Sequence, residues 1–105
     1  MGMYAGCTIT LVGGVHRANY EKTLKLLGFD RIYHVKDRKD LKKMPSLVKK
    51  SDLAVVITSC CSHEHSGLTK KVCQDEGIPF AFVPGGSGPE NIAWYLAHNY
   101  SNVMQ

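Results

Sequence analysis

Ser51-Asp52-Leu53-Ala54-Val55-Val56-Ile57-Thr58 is the stretch on which the fold turns. Leu53 to Ile57 is apolar without a break and ends in β-branched residues. A strand with one wet face would alternate, so this run reads as a strand covered on both faces, as in a parallel sheet. Ser59-Cys60-Cys61-Ser62-His63-Glu64-His65 follows directly. Ser62 suits the N-cap of a helix running to about Glu76, with His65, Leu68 and Val72 toward the sheet and Gly77 as the stop. Two thiols, two imidazoles, two hydroxyls and a carboxylate thus crowd the turn between a strand's carboxyl end and a helix amino terminus. In open α/β sheets, ligands bind there.

The pattern continues on both sides. Thr8–Val12 reads as a strand stopped by Gly13-Gly14, and Arg17 to Leu27 as a helix with Tyr20, Leu24 and Leu27 at helical spacing before Gly28. Arg31–Val35 is a short strand. Leu41, Met44, Leu47 and Val48 are periodic, but Pro45 divides them, so a broken or short helix is expected. Ile78–Val83 is a fourth strand with Pro79 at its start, and Ser87-Gly88-Pro89-Glu90 is a capping-box pattern opening a helix through Ala97. Asn99 to Gln105 reads as a frayed tail. Alternating strands and helices predict one small doubly wound α/β domain over 1–105, Rossmann-like or flavodoxin-like. Its core spans about 8–98, with four parallel strands in the order 2-1-3-4.

A chain of 105 residues holds one core, and 44% hydrophobic with 21% charged residues is an ordinary globular composition. No apolar run is long enough to span a bilayer. Met1 to Cys7 has neither a basic n-region nor an apolar h-region, so no secretory signal is expected. Four cysteines in such a chain read as thiols, and the expected compartment is the cytoplasm. Between Lys36 and Lys50, seven basic residues against Asp37 and Asp40 leave +5, while the whole chain carries +4. The plain reading is the solvated face of a short helix. Polyanion binding is a third-ranked function, and nucleic acid is not expected because no aromatic residue is interleaved to stack on bases.

Parallel topology sends every strand's carboxyl end to one rim, gathering Gly13, Gly14, His16, Arg17, His34, Cys60 to His65, and Pro84 to Pro89. Three helix amino termini opening there, with Arg17 and His16, suit a phosphate or carboxylate. Neither glycine pair matches a dinucleotide fingerprint or a P-loop, and Gly13-Gly14 reads equally well as a tight turn. Cys60, His63 and His34 could form an open three-ligand metal site for zinc, copper, iron or haem. Cys60 or Cys61 beside His63 at a helix amino terminus should have a lowered pKa, which makes a cysteine-dependent enzyme the alternative function. Cys7 falls at the opposite edge, and Cys73 reads as a small buried hydrophobe. A phosphoreceiver is excluded, because Gly13-Gly14 and Ser59-Cys60 stand where it needs carboxylates.

Val12-Gly13-Gly14, His34, and Cys60-x-Ser62-His63 followed by Lys70 and Cys73 resemble the bacterial domain of unknown function 2325 family over roughly residues 9–83. Ser59 stands where members often carry an acidic residue, and Cys61 and His65 lie outside the pattern. The resemblance implies the position of a site and assigns it no reaction. The expected function is a small-ligand-binding domain, regulatory or sensory, with Gly13, Gly14, Arg17, His34, Cys60, Ser62, His63 and Lys70 as ligand-binding residues. Lys70 shares a helix face with His63, and Gly67 between them leaves room for a ligand. The expected partners are a small molecule or metal and a second copy in a homodimer, with no membrane.

Overall fold

The computed structural model describes residues 4–14, 17–36, 38–58, 61–84 and 88–99. They form a four-stranded parallel sheet in the order β2-β1-β3-β4. The strands are β1 (Thr8–Val12), β2 (Arg31–Val35), β3 (Leu53–Ile57) and β4 (Phe80–Val83), interleaved with α1 (Arg17–Leu26), α2 (Met44–Lys49), α3 (His63–Glu76) and α4 (Pro89–His98). The order reverses between β1 and β3, which is the topological switch point. No helix among the described residues is long and apolar enough to cross a membrane.

Every residue of β3 is fully buried, as its unbroken apolar run requires. Alternate side chains point to opposite faces of the sheet. Ile9, Leu11, Leu53, Val55 and Ile57 pack with Tyr20 and Leu24 of α1 and Ile92 and Leu96 of α4. Val12, Ala54 and Val56 pack with Met44 and Val48 of α2 and Val72 and Cys73 of α3. Removing each such side chain from water is worth about 1.5–3 kcal/mol, and both layers depend on it. Asp52 joins the bottom of β3 to β1, its carboxylate accepting from Thr8 N–H at 2.9 Å.

Local chemistry sets the ends of the elements. Ser62 caps α3, its Oγ accepting from the His65 N–H at 3.2 Å, and Gly77 closes the helix at φ 68°. The segment around Pro45 is broken and its helix is short, as expected. A 3-10 turn spans Arg38–Lys42, and α2 starts at Met44 with the proline in its first turn, where a missing N–H costs nothing. α4 is capped by Gly88 without a side-chain bond, so the capping-box reading placed the cap one residue early. Asn99 is the C-cap of α4 rather than tail, its N–H and Nδ2 both donating to Tyr95 O, at 3.0 and 2.8 Å. Residues 100–105 lie outside the described residues.

Candidate ligand site at the carboxyl rim

Two groups of chemistry-bearing residues stand at the carboxyl rim, on opposite faces of the sheet. The first is the turn after β1. Gly13 and Gly14 have φ of 93° and 80°, a region open to glycine. Gly13 N–H donates to Val35 O at 2.9 Å, and His34 Nε2 donates to Gly13 O at 2.7 Å. The His34 ring stands edge-on to Tyr20, centroids 5.6 Å apart, within the α1 layer. A Cβ on Gly14 would collide with the Tyr20 hydroxyl and come within 2.7 Å of Ile57 Cδ1. Positive φ accounts for both glycines, and packing for Gly14 as well, so the tight-turn reading of this pair fits the geometry.

The second group lies on the α3 face, beyond the switch point. Thr58, Cys61, His63, Ser66 and Phe82 line a hollow of about 230 Å³ between the end of β3, the first turn of α3 and β4. Thr58 Oγ1 donates to Val83 O at 3.1 Å and ties the ends of β3 and β4 together. Ser66 Oγ donates to His63 O at 3.2 Å, fixing the hydroxyl on the first turn. Phe82, 38% exposed, offers a ring to the hollow and is tilted against Phe80 at 5.8 Å. His63 is exposed at the mouth.

Of Cys60 and Cys61, expected to have a lowered pKa, Cys61 does not show it and Cys60 lies outside the described residues. The half-buried Cys61 thiol is pushed up by burial, which outweighs the opposing hydrogen bond from the Ser66 backbone. The helix terminus therefore does not make Cys61 a thiolate near neutral pH. Cys73 is buried in the α2–α3 layer, and burial pushes its thiol up to about 11. Cys7 stands at the opposite edge, raised by burial and then by the Asp52 carboxylate.

A family model described as "Uncharacterized protein conserved in bacteria (DUF2325)" matches residues 8–93. The chain belongs to the DUF2325 family. No curated protein and no solved structure matches it.

The anticipated residues of this DUF2325 domain distribute as follows. Ser62 and His63 stand together at the start of α3, while His34, Gly13 and Gly14 are held on the other face. Lys70 is exposed two turns beyond His63, about 10 Å along the axis. Arg17 opens α1; its side chain, with all of His16 and Cys60, lies outside the described residues. His65 is buried as its spacing implied, with Nδ1 2.6 Å from Ser62 Oγ. The buried imidazole thus completes the helix start through Ser62, while Thr69 Oγ1 donates to the main-chain carbonyl of His65 at 2.7 Å. Among the described residues no three His, Cys, Asp or Glu side chains come together to hold a metal ion. Of the three expected metal ligands, His34 and His63 are on opposite faces and Cys60 is outside the described residues.

Thr58, Ser66 and Phe82 escaped the sequence reading. Thr58 had a signal, since it follows directly on β3 and shares its carboxyl end. Phe82 had one too, because alternation in β4 puts Phe80 and Phe82 on the face that α3 covers.

Proposed function

We propose that this DUF2325 domain is a ligand-binding module, regulatory or sensory, that takes a small phosphate- or carboxylate-bearing molecule in the hollow beneath the first turn of α3. One observation carries the reading: an imidazole, two hydroxyls, a protonated thiol and an exposed aromatic ring line a single hollow of about 230 Å³. The helix amino terminus favours negative charge nearby. A protonated Cys61 puts no like charge against it. The volume falls below the roughly 300–1,000 Å³ of sites for drug-sized ligands, so the ligand is smaller than a nucleotide.

Metal binding is the second reading, favoured by Cys61 and His63 lining the same hollow. A thiol and an imidazole suit zinc, copper or iron, haem iron included. The metal reading alone requires a thiolate. A metal must displace the Cys61 proton, so its affinity falls as pH falls.

Calorimetric titration at about pH 6 and about pH 8 separates them, with phosphate, phenyl phosphate and zinc as probes. Phosphate and phenyl phosphate should bind at both pH values and lose roughly tenfold in His63→Ala, the worth of one charge-assisted hydrogen bond. Phe82→Ala should weaken phenyl phosphate more than phosphate. Zinc uptake with no anion binding would reverse the ranking, and no binding of either kind would refute the proposal.

A further inference from the structure

Among the described residues three large apolar side chains stand out in solvent: Leu26 at 79%, Trp94 at 59% and Phe82 at 38% exposure. Phe82 belongs to the ligand hollow. Leu26 and Trp94 sit on α1 and α4, which pack side by side on one face of the sheet. A second hollow, of about 360 Å³, opens between these helices and contains no thiol or imidazole. The stripe Asn19, Lys22, Thr23 and Leu26 of α1 forms one wall, and Pro89 and Glu90 form the other. Trp94 stands one turn beyond Glu90 on the same side of α4, its ring stacked on His98 at 4.3 Å.

The two helices of this surface differ in charge, α1 exposing Lys22 and Lys25. α3 exposes Glu64, Lys70, Lys71, Asp75 and Glu76, whereas Glu90 is the one formally charged residue of α4. Lys22 and Glu90 face each other across the hollow, both exposed, and no ion pair joins either to the described residues. The basic segment from Lys36 to Lys50 includes α2, which packs beside α3 on the far face. Its positive charge is thus kept away from this surface.

We infer that the α1–α4 surface binds a second copy of the chain about a twofold axis, Lys22 of each protomer meeting Glu90 of the partner subunit. A twofold interface puts the same patch on both sides, so any contact occurs twice. A patch with Lys22 on one wall of the hollow and Glu90 on the other is complementary to its own rotated copy. Leu26 and Trp94 would then be covered by the corresponding residues of the second protomer. This assembly is independent of what the ligand hollow on the opposite face binds.

Sedimentation equilibrium of the full chain tests it. The wild type should dimerise, and Lys22→Glu or Glu90→Lys alone should weaken the dimer by roughly tenfold or more, because like charges then oppose each other. Mixed in equal amounts, the two variants should associate with one another about as tightly as wild type, since each supplies the charge the other lacks. Both positions are exposed, and circular dichroism will show the variants folded. A wild type that stays monomeric at its highest soluble concentration would overturn the inference. So would single variants that dimerise like wild type, a mixture that fails to recover, or a dimer that Phe82→Ala disrupts and the charge changes leave intact.

Discussion

His34 on β2 donates through Nε2 to the carbonyl oxygen of Gly13 at the end of β1, at 2.7 Å. A carbonyl only accepts, so the proton of this bond is on Nε2. Gly13 returns its own N–H to Val35 O at 2.9 Å. Both polar groups of this glycine are held by β2, and the chain leaves β1 through a turn fixed by the fold. The open chemistry lies across the sheet, around His63 and Phe82.

His34→Ala should therefore act on stability. The loss of one partly buried hydrogen bond and of the edge contact with Tyr20 should lower the unfolding free energy by about 1–2 kcal/mol. His34→Gln retains an N–H at similar reach and should recover part of it. Urea unfolding of the three proteins measures the difference. Full stability in His34→Ala would show that the bond does not hold the turn.

Two glycines should respond in opposite directions. Gly14→Ala puts a methyl group against the Tyr20 hydroxyl and Ile57 at a φ of 80°, and should cost about 3 kcal/mol or more. Gly67 lies inside α3 with open space where a Cβ would go, so Gly67→Ala should stabilise by about 0.5–1 kcal/mol. Thermal unfolding gives both signs. Unchanged affinity for phenyl phosphate in Gly67→Ala would also show that this glycine does not make room for the ligand.

Much of the fold was legible because each element obeys one strong local rule. The unbroken run Leu53–Ile57 required cover on both faces, and Ser62 and Gly77 marked the ends of α3 at their true positions. Pro45 marked a short helix, which it begins rather than interrupts, with the 3-10 turn Arg38–Lys42 ahead of it. Tyr4 gave no periodic signal. It is buried nonetheless, stacked on Phe29 at 4.8 Å, with its hydroxyl donating to Leu96 O at 2.6 Å across 92 positions of sequence. The site was half legible. Topology gathered residues at one rim, but the sheet separates His34 from His63, because the side on which a side chain emerges depends on register as well as on strand order.

Cys73 gives the stability a dependence on alkaline pH. Its thiol keeps its proton to about 11 in the folded chain against about 9 when exposed. The stabilisation is thus fully present below about pH 9, and is lost as pH rises toward about 11 and the unfolded thiol ionises first. Over that window the advantage of wild type over Cys73→Ala should shrink by about 2 kcal/mol. Denaturant unfolding of the pair across that range checks it; a gap independent of pH would contradict the burial of a protonated thiol.

Thiol labelling should rank the cysteines by exposure and ionisation together. Iodoacetamide near neutral pH should modify Cys61, which is half-buried, well before Cys73, yet more slowly than an exposed thiol, since burial holds Cys61 protonated. Mass spectrometry of a time course reads the order. Labelling of Cys61 faster than a free thiol would restore the activated-nucleophile reading.

The central claim is that the hollow under the first turn of α3 holds a small anion, and an amide-resolved NMR titration with phenyl phosphate tests it most directly. Saturable shifts should appear at Thr58, Cys61, His63, Ser66 and Phe82, and need roughly tenfold more ligand in His63→Ala. A titration that leaves these five residues unmoved, or whose shifts are confined to the hollow between Lys22 and Glu90, would contradict it.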